Sequence, residues 1–236
     1  MIEIKNIVKK YKDKDALKGI SMTLENGIYG FLGANGAGKT TLINIIAGVK
    51  KPTEGQILYN NEEIVKLGDD YREVLGYLPQ KVAMYSNLTG MQYIDYMCIL
   101  KGIKDKTERE KQITSVLEKF NLLDVKNKKI GAYSGGMQQR LAIAQSFIGH
   151  PRVVLLDEPT VGLDPEERIR FKSAISELAK DAIVIVSTHI LSDLSELADV
   201  LCMFKQGNLV YIGKRQDWES ENIDKKYLEI MEGAND

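Results

Sequence analysis

The sequence predicts an α/β fold with a mostly parallel sheet core, an antiparallel β edge subdomain and an inserted α-helical subdomain. Three observations carry this. Short apolar runs of strand length recur after Pro151, at residues 153–157, 183–188 and 200–204. Helix-length or shorter segments separate them, which is the pattern of βαβ units. The first two dozen residues alternate apolar and polar instead, and from about 87 to 149 helical periodicity replaces both.

Taken in order, Ile2 and Ile4 fall on one side of the first segment and Glu3 and Lys5 on the other; Ile20, Met22 and Leu24 repeat the alternation. Both read as half-exposed antiparallel strands. "IYGFL" is a buried strand that runs straight into glycines. "TLINIIAG" follows as a helix, with Gly48 as its stop and Pro52 just beyond. "GQILYNNEEI" is a strand with a turn at Asn60–Asn61. The helical block holds "MQYIDYMCILKG", "TEREKQITSVLEKFNLL" and "GGMQQRLAIAQSFIGH". The middle one mixes both charge signs, as a solvated helix face does. After the three late strands, "LVYIG" is expected to pair with its predecessor through a turn at Gly207–Asn208. The stretch from Lys214, with Trp218, is polar, short and too small for a further domain. The expected organisation is a single domain, 1–236, with its core at about 1–86 and 150–213, the helical insert at about 87–149 and a tail at 214–236.

A chain of 236 residues can bury a sizeable core, and 44% hydrophobic with 28% charged residues is ordinary for a soluble globular protein. The net charge of −1 gives no general pull toward nucleic acid, and no nucleic-acid partner is expected. No apolar run approaches bilayer length, and "MIEIKNIVKKY" lacks the apolar core of a secretory signal. The two cysteines, Cys98 and Cys202, read as small buried side chains in a reducing compartment. A cytoplasmic protein is expected, and any work at a membrane requires another protein to span it.

Gly33-Ala34-Asn35-Gly36-Ala37-Gly38-Lys39-Thr40, followed by Thr41, matches the P-loop pattern between a buried strand and an apolar helix. Its glycines let backbone N–H groups turn around phosphate oxygens, and the helix start adds its positive dipole end. Lys39 can reach the outer phosphates and the Thr40 hydroxyl can ligate Mg²⁺. The expected fold is thereby a P-loop NTPase. "VVLLDE" places Asp157 and Glu158 at the carboxyl edge of a buried strand, where open α/β sheets bind ligands. An acidic pair there can cap a helix. Beside a P-loop, the stronger reading has Asp157 holding Mg²⁺ and Glu158 taking a proton from the attacking water.

A second anion-binding device stands at "YSGGMQQR". Ser134 is a good N-cap whose hydroxyl could also meet a phosphate, and Gly135 and Gly136 leave the backbone open to a ligand. Alone, these residues read first as a plain N-cap before a core helix.

The ordered set "GANGAGKTT", Gln80 in "YLPQ", "YSGGMQQR", "VVLLDEPT", "GLD" ending at Asp164 and "STH" ending at His189 resembles the nucleotide-binding subunit of ATP-binding cassette (ABC) transporters along nearly the whole chain. The resemblance implies an ATPase with ATP and Mg²⁺ as cofactors. It implies that Tyr11 stacks on adenine and that Gln80 senses Mg²⁺ and water and contacts a membrane partner. Ser134, Gly135, Gly136 and Gln138 match the family signature. Asp164 matches the loop that crosses to the opposite subunit, and His189 the histidine that contacts the γ-phosphate. By themselves, Gln80 reads as a surface residue and His189 as structural. Two departures stand out: Tyr133 replaces the signature's usual leucine and Met137 its final glutamine. Met137 offers a thioether in place of an amide, which calls any ribose hydrogen bond from that position into question. Such variants resemble exporter-type members.

What the resemblance implies about partners is a transmembrane permease and a second copy of the chain, or a homologous ATPase subunit, paired head to tail. Each ATP then lies between the P-loop of one copy and the signature of the other, on the cytoplasmic face of the membrane. The alternatives are a soluble ABC ATPase acting on ribosomes or DNA, and a nucleotide switch with negligible hydrolysis. The single set of motifs, the lack of a sustained heptad run, and the presence of Glu158 and His189 weigh against them.

Overall fold

A computed structural model describes residues 1–12, 14–218 and 223–233. The chain runs β1 (Ile2–Tyr11), β2 (Lys14–Leu24), β3 (Gly27–Leu32), α1 (Lys39–Ile46), β4 (Glu54–Tyr59), β5 (Glu62–Glu63), α2 (Ile64–Leu67), α3 (Asp69–Val74) and β6 (Leu75–Leu78). Then come α4 (Gly90–Leu100), α5 (Lys106–Lys119), two 3₁₀ turns, α6 (Gly135–Gln145), β7 (Val153–Asp157), α7 (Pro165–Leu178), β8 (Ile183–Thr188) and α8 (Leu191–Ser195). β9 (Val200–Lys205), β10 (Asn208–Lys214), α9 (Arg215–Trp218) and α10 (Ile223–Gly233) complete it.

The central sheet has six strands in the order β10-β9-β3-β8-β7-β6. All are parallel except β10, which runs antiparallel to β9. Residues 153–156 of β7 and 183–186 of β8 are apolar without interruption because both their faces are covered. Val154, Leu156, Val184 and Val186 face one core, which includes the helices α4–α6. Val153, Leu155, Ile183 and Ile185 face the other, shared with α1 and the antiparallel sheet. That second sheet has four strands, β2-β1-β4-β5, with Ile2, Ile4, Ile7 and Ile57 turned inward. Among the described residues, no helix is long and apolar enough to cross a membrane.

Each helix of the block between β6 and β7 has a side-chain cap. Thr89 and Gln92 form a capping box on α4, Asp105 accepts from Glu108 N on α5, and Ser134 accepts from Met137 N on α6. Cys98 and Cys202 are buried free thiols whose pKa burial pushes up.

Three features differ from expectation. The strand β6 escapes sequence reading because it is four residues long and interrupted by Gly76. A Cβ there would lie 2.0 Å from Ser146 O, so close passage of α6's end over the strand demands glycine. The β9–β10 turn falls on Gln206–Gly207 (φ 48° and 84°), not Gly207–Asn208, because Asn208 already pairs with Lys205. The segment from Lys214 is not merely polar. Trp218 is buried, and Ile223, Tyr227, Ile230 and Met231 of α10 pack on the core at helical spacing.

Candidate functional site

Parallel pairing of β6, β7, β8 and β3 brings their carboxyl ends to one edge of the sheet. Gln80, the Asp157–Glu158 pair, His189 and the loop from Gly33 all follow those ends, which is where a doubly wound sheet binds ligands.

The loop from Gly33 to Gly38 leads into α1, whose N-cap is Gly38 with φ 111° and no side-chain cap. A Cβ on Gly38 would sit 2.7 Å from Ala16 O, so only glycine allows the loop to close against β2. The uncapped first N–H groups of α1 are left to meet an anion. Lys39 is buried, and its Nζ donates to Gly33 O (2.5 Å) and Ala34 O (3.4 Å). Burial lowers its pKa, while Glu158 and Asp157 pull it back up. The loop is thus curled around a cation held by two neutral carbonyl oxygens.

A cavity of about 290 Å³ opens here. The loop residues Asn35–Lys39, with Thr40 and Thr41, form its floor. Gln80, Glu158 and Tyr11 also line it. Tyr11 is 42% exposed, and Lys9 and Lys50 Nζ lie over its ring, 5.3 and 5.6 Å from the centre. Lys14, which sequence reasoning missed, lines the same cavity; the only signal was a charge three residues beyond Tyr11.

Asp157 lies behind Thr40 at the end of β7, opposite Ser187 in the ladder. Both its carboxylate oxygens and the Ser187 hydroxyl are buried without a hydrogen-bond partner among the described residues. Burial pushes the Asp157 carboxyl up from 3.8, with Thr40, Ser187 and Lys39 pulling down and Glu158 pushing further up. Folding therefore favours its neutral form. That contribution is complete below pH 3.8 and is lost as pH rises through the raised value. Asp157→Asn should stabilise the metal-free protein at neutral pH by about 1–3 kcal/mol and flatten its pH dependence, as read by denaturant unfolding. Unchanged or lower stability would contradict this reading of Asp157.

Glu158 turns away from the strand with φ 52°, a conformation that costs a non-glycine residue about 1–3 kcal/mol and clusters at functional sites. Its N–H donates to Ser187 O, and its Oε1 lies 3.0 Å from His189 Nδ1. Its Oε2 is buried with no partner among the described residues.

The second device lies elsewhere. Ser134, Gly135, Gly136, Gln138 and Asp164 do not line the Gln80–Glu158 cavity. They form a cluster of their own. Ser134 Oγ accepts from Met137 N (3.2 Å) and is exposed. A Cβ on Gly136 would be 3.3 Å from Gly162 O, so the start of α6 abuts the loop that ends in Asp164. Asp164 caps α7 in a capping box with Glu167. Gln138 Nε2 donates to Ile130 O (3.3 Å) and Tyr133 O (3.5 Å), holding the loop before α6. Tyr133 is buried and its hydroxyl donates to Val125 O (2.9 Å).

A glycine-rich cradle before an uncapped helix, with a carboxylate pair at the neighbouring strand end, defines a P-loop nucleotide-binding protein. The family described as ABC transporter matches residues 17–161. The chain is 36% identical to the ABC transporter ATP-binding protein YxlF of Bacillus subtilis, across 94% of the chain and 73% of that protein. It is 31% identical to the ABC transporter ATP-binding protein NatA of the same organism, across 94% and 93%. It spans only 24% of ABC transporter A family member 8 of Dictyostelium discoideum, at 36% identity. A solved ATP-binding subunit of an ABC transporter superposes with a TM-score of 0.87 at 25% identity, covering 98% of this chain and 99% of that one. The dimeric bacterial cassette MJ0796 superposes at 0.83 with 28% identity, covering 91% and 99%. This chain belongs to the ABC transporter family, as an ATP-binding, ATP-hydrolysing subunit.

Proposed function

We propose that the chain powers an exporter by ATP-driven, head-to-tail pairing of two copies, docked on a transmembrane permease at the cytoplasmic face of the membrane. The observation that carries this is the separation of the two phosphate devices. The exposed Ser134 helix start stands apart from the cavity of its own P-loop, so a nucleotide held there meets a signature only from another copy. The dimer described for MJ0796 supports the same arrangement, and the YSGGM variant supports export.

In this reading the backbone from Gly33 to Thr41 cradles the phosphates, Lys39 leaves its carbonyl partners for the γ-phosphate, and Tyr11 stacks on adenine. Glu158 Oε2 accepts the proton of the attacking water while His189 steadies Oε1. The hard oxygen donors of Thr40 and Asp157 fit Mg²⁺, which takes few protein ligands and completes its shell with substrate phosphate and water; Gln80 senses that shell. When bound, the ion neutralises charge on the outer phosphates. Among the described residues, no cluster of three His, Cys, Asp or Glu side chains could hold a metal by itself, consistent with an ion that arrives with its nucleotide.

Tyr11→Ala should cost about 1–3 kcal/mol of ATP affinity, the usual worth of a base–aromatic stack. Inorganic triphosphate, which has no base, should bind both forms alike; equal loss for both ligands would count against stacking. For the function as a whole, the test is affinity purification from detergent-solubilised membranes. A multi-span membrane protein in the bound fraction supports it, and ribosomal or DNA material instead would overturn it.

A further inference from the structure

We propose that Asp193 is a positioning residue for ATP hydrolysis, fastening the Glu158–His189 pair to the Asp164 loop. This deepens the function proposed above and rests on it. Asp193 lies in the five-residue helix α8, just after His189, and is only 5% exposed. Its Oδ2 accepts a hydrogen bond from the Thr160 hydroxyl at 2.6 Å, and its Oδ1 accepts one from Arg168 at 3.0 Å. Thr160 is itself buried and stands two residues beyond Glu158. Arg168 comes from the first turn of α7, and its Nε also donates to Leu163 O (3.4 Å), inside the loop that ends in Asp164. One carboxylate therefore gathers three segments, those following β7, β8 and the Asp164 loop.

A buried carboxylate tolerates the loss of a partner poorly. The knot is thus stable only when all three segments are in register, and the 3.0 Å contact between Glu158 and His189 spans two of them. The residue next to Arg168 extends the frame. Glu167 Oε1 lies 2.8 Å from Arg140 Nε, an ion pair that ties α7 to α6. The first turn of α7 is accordingly a crossbar between the signature helix and the segment carrying His189. In a head-to-tail pair, Ser134 and Asp164 serve one nucleotide while Glu158 and His189 serve the other. The knot makes the second pair move with the first, so turnover at one nucleotide responds to occupancy at the other.

The test measures ATP turnover against ATP concentration for the full chain, with nucleotide affinity and melting temperature alongside. Thr160→Val deletes only the hydroxyl, Thr160→Ser keeps it, and Asp193→Asn removes the charge. Thr160→Val and Asp193→Asn should each lower kcat about tenfold or more and lose cooperativity in ATP, with affinity changed less than about twofold. Thr160→Ser should stay within about twofold of wild type in every readout. A Thr160→Val protein as active as Thr160→Ser at saturating ATP overturns the assignment. So does a loss of affinity and turnover in equal proportion, the mark of a merely structural role. If the wild type itself neither turns over ATP nor pairs in the Glu158→Gln form, the proposed function falls and the knot's role with it. A failure confined to the Thr160 and Asp193 variants sinks only the knot.

Discussion

Replacing Glu158 by glutamine leaves a protein that binds ATP normally and hydrolyses it about 10²–10⁴-fold more slowly, the usual worth of a positioned general base. The side chain keeps its shape, so its left-handed backbone and its place against the cavity are retained. What is lost is the basicity of Oε2, the buried oxygen that has no partner among the described residues. An amide there presents either a donor NH2 or a carbonyl oxygen with almost no basicity, so the attacking water keeps its proton. With hydrolysis stalled, the γ-phosphate stays between the two devices, and the variant should accumulate as an ATP-bound dimer by size-exclusion chromatography with light scattering. Steady-state hydrolysis within about twofold of wild type would remove Glu158 from the role of base.

Lys39→Ala is expected to have the largest effect on binding. Lys39 is a buried cation whose contacts are the Gly33 and Ala34 carbonyls, weak partners for a full positive charge. A phosphate replaces them with a charge-assisted bond worth about 1.5–3 kcal/mol, so removing the ammonium should weaken ATP binding by roughly 10- to 150-fold in calorimetry. The pH dependence follows from the same burial. Lys39 loses its proton below its ordinary 10.5, and only the protonated form attracts phosphate. Wild-type affinity should therefore fall as pH rises toward 10.5, and the alanine variant should lack that fall. Affinity unchanged in Lys39→Ala would contradict the phosphate cradle.

The parallel core was legible because β7 and β8 are buried on both faces, which forces unbroken apolar runs with no polar alternation. The antiparallel sheet was legible for the opposite reason, since β1 turns one face to solvent. β6 was hidden by Gly76, whose cause is a backbone from α6 passing overhead, seventy residues away in the chain. α10 carried a visible apolar spacing, yet its polar composition outweighed it on reading. At the site, motifs could be read one by one, but the contacts between them could not. That Gln80 and Glu158 share a cavity with the P-loop while Gly136 abuts Gly162 depends on strand order and helix packing. The Glu158–His189 contact and the Asp193 knot likewise join residues 31, 33 and 25 positions apart, beyond any local pattern. Ser187 and Thr188 close the otherwise aliphatic "IVIVST" with two hydroxyls, and only the strand pairing shows that Ser187 stands opposite Asp157.

A structure of the Glu158→Gln protein with ATP and Mg²⁺ bound asks most directly whether a nucleotide is shared between copies. Ser134 Oγ of one molecule should lie about 2.7–3.2 Å from a γ-phosphate oxygen cradled by the other. A nucleotide enclosed wholly by a single chain, or a pair of chains meeting through any other face, would contradict it.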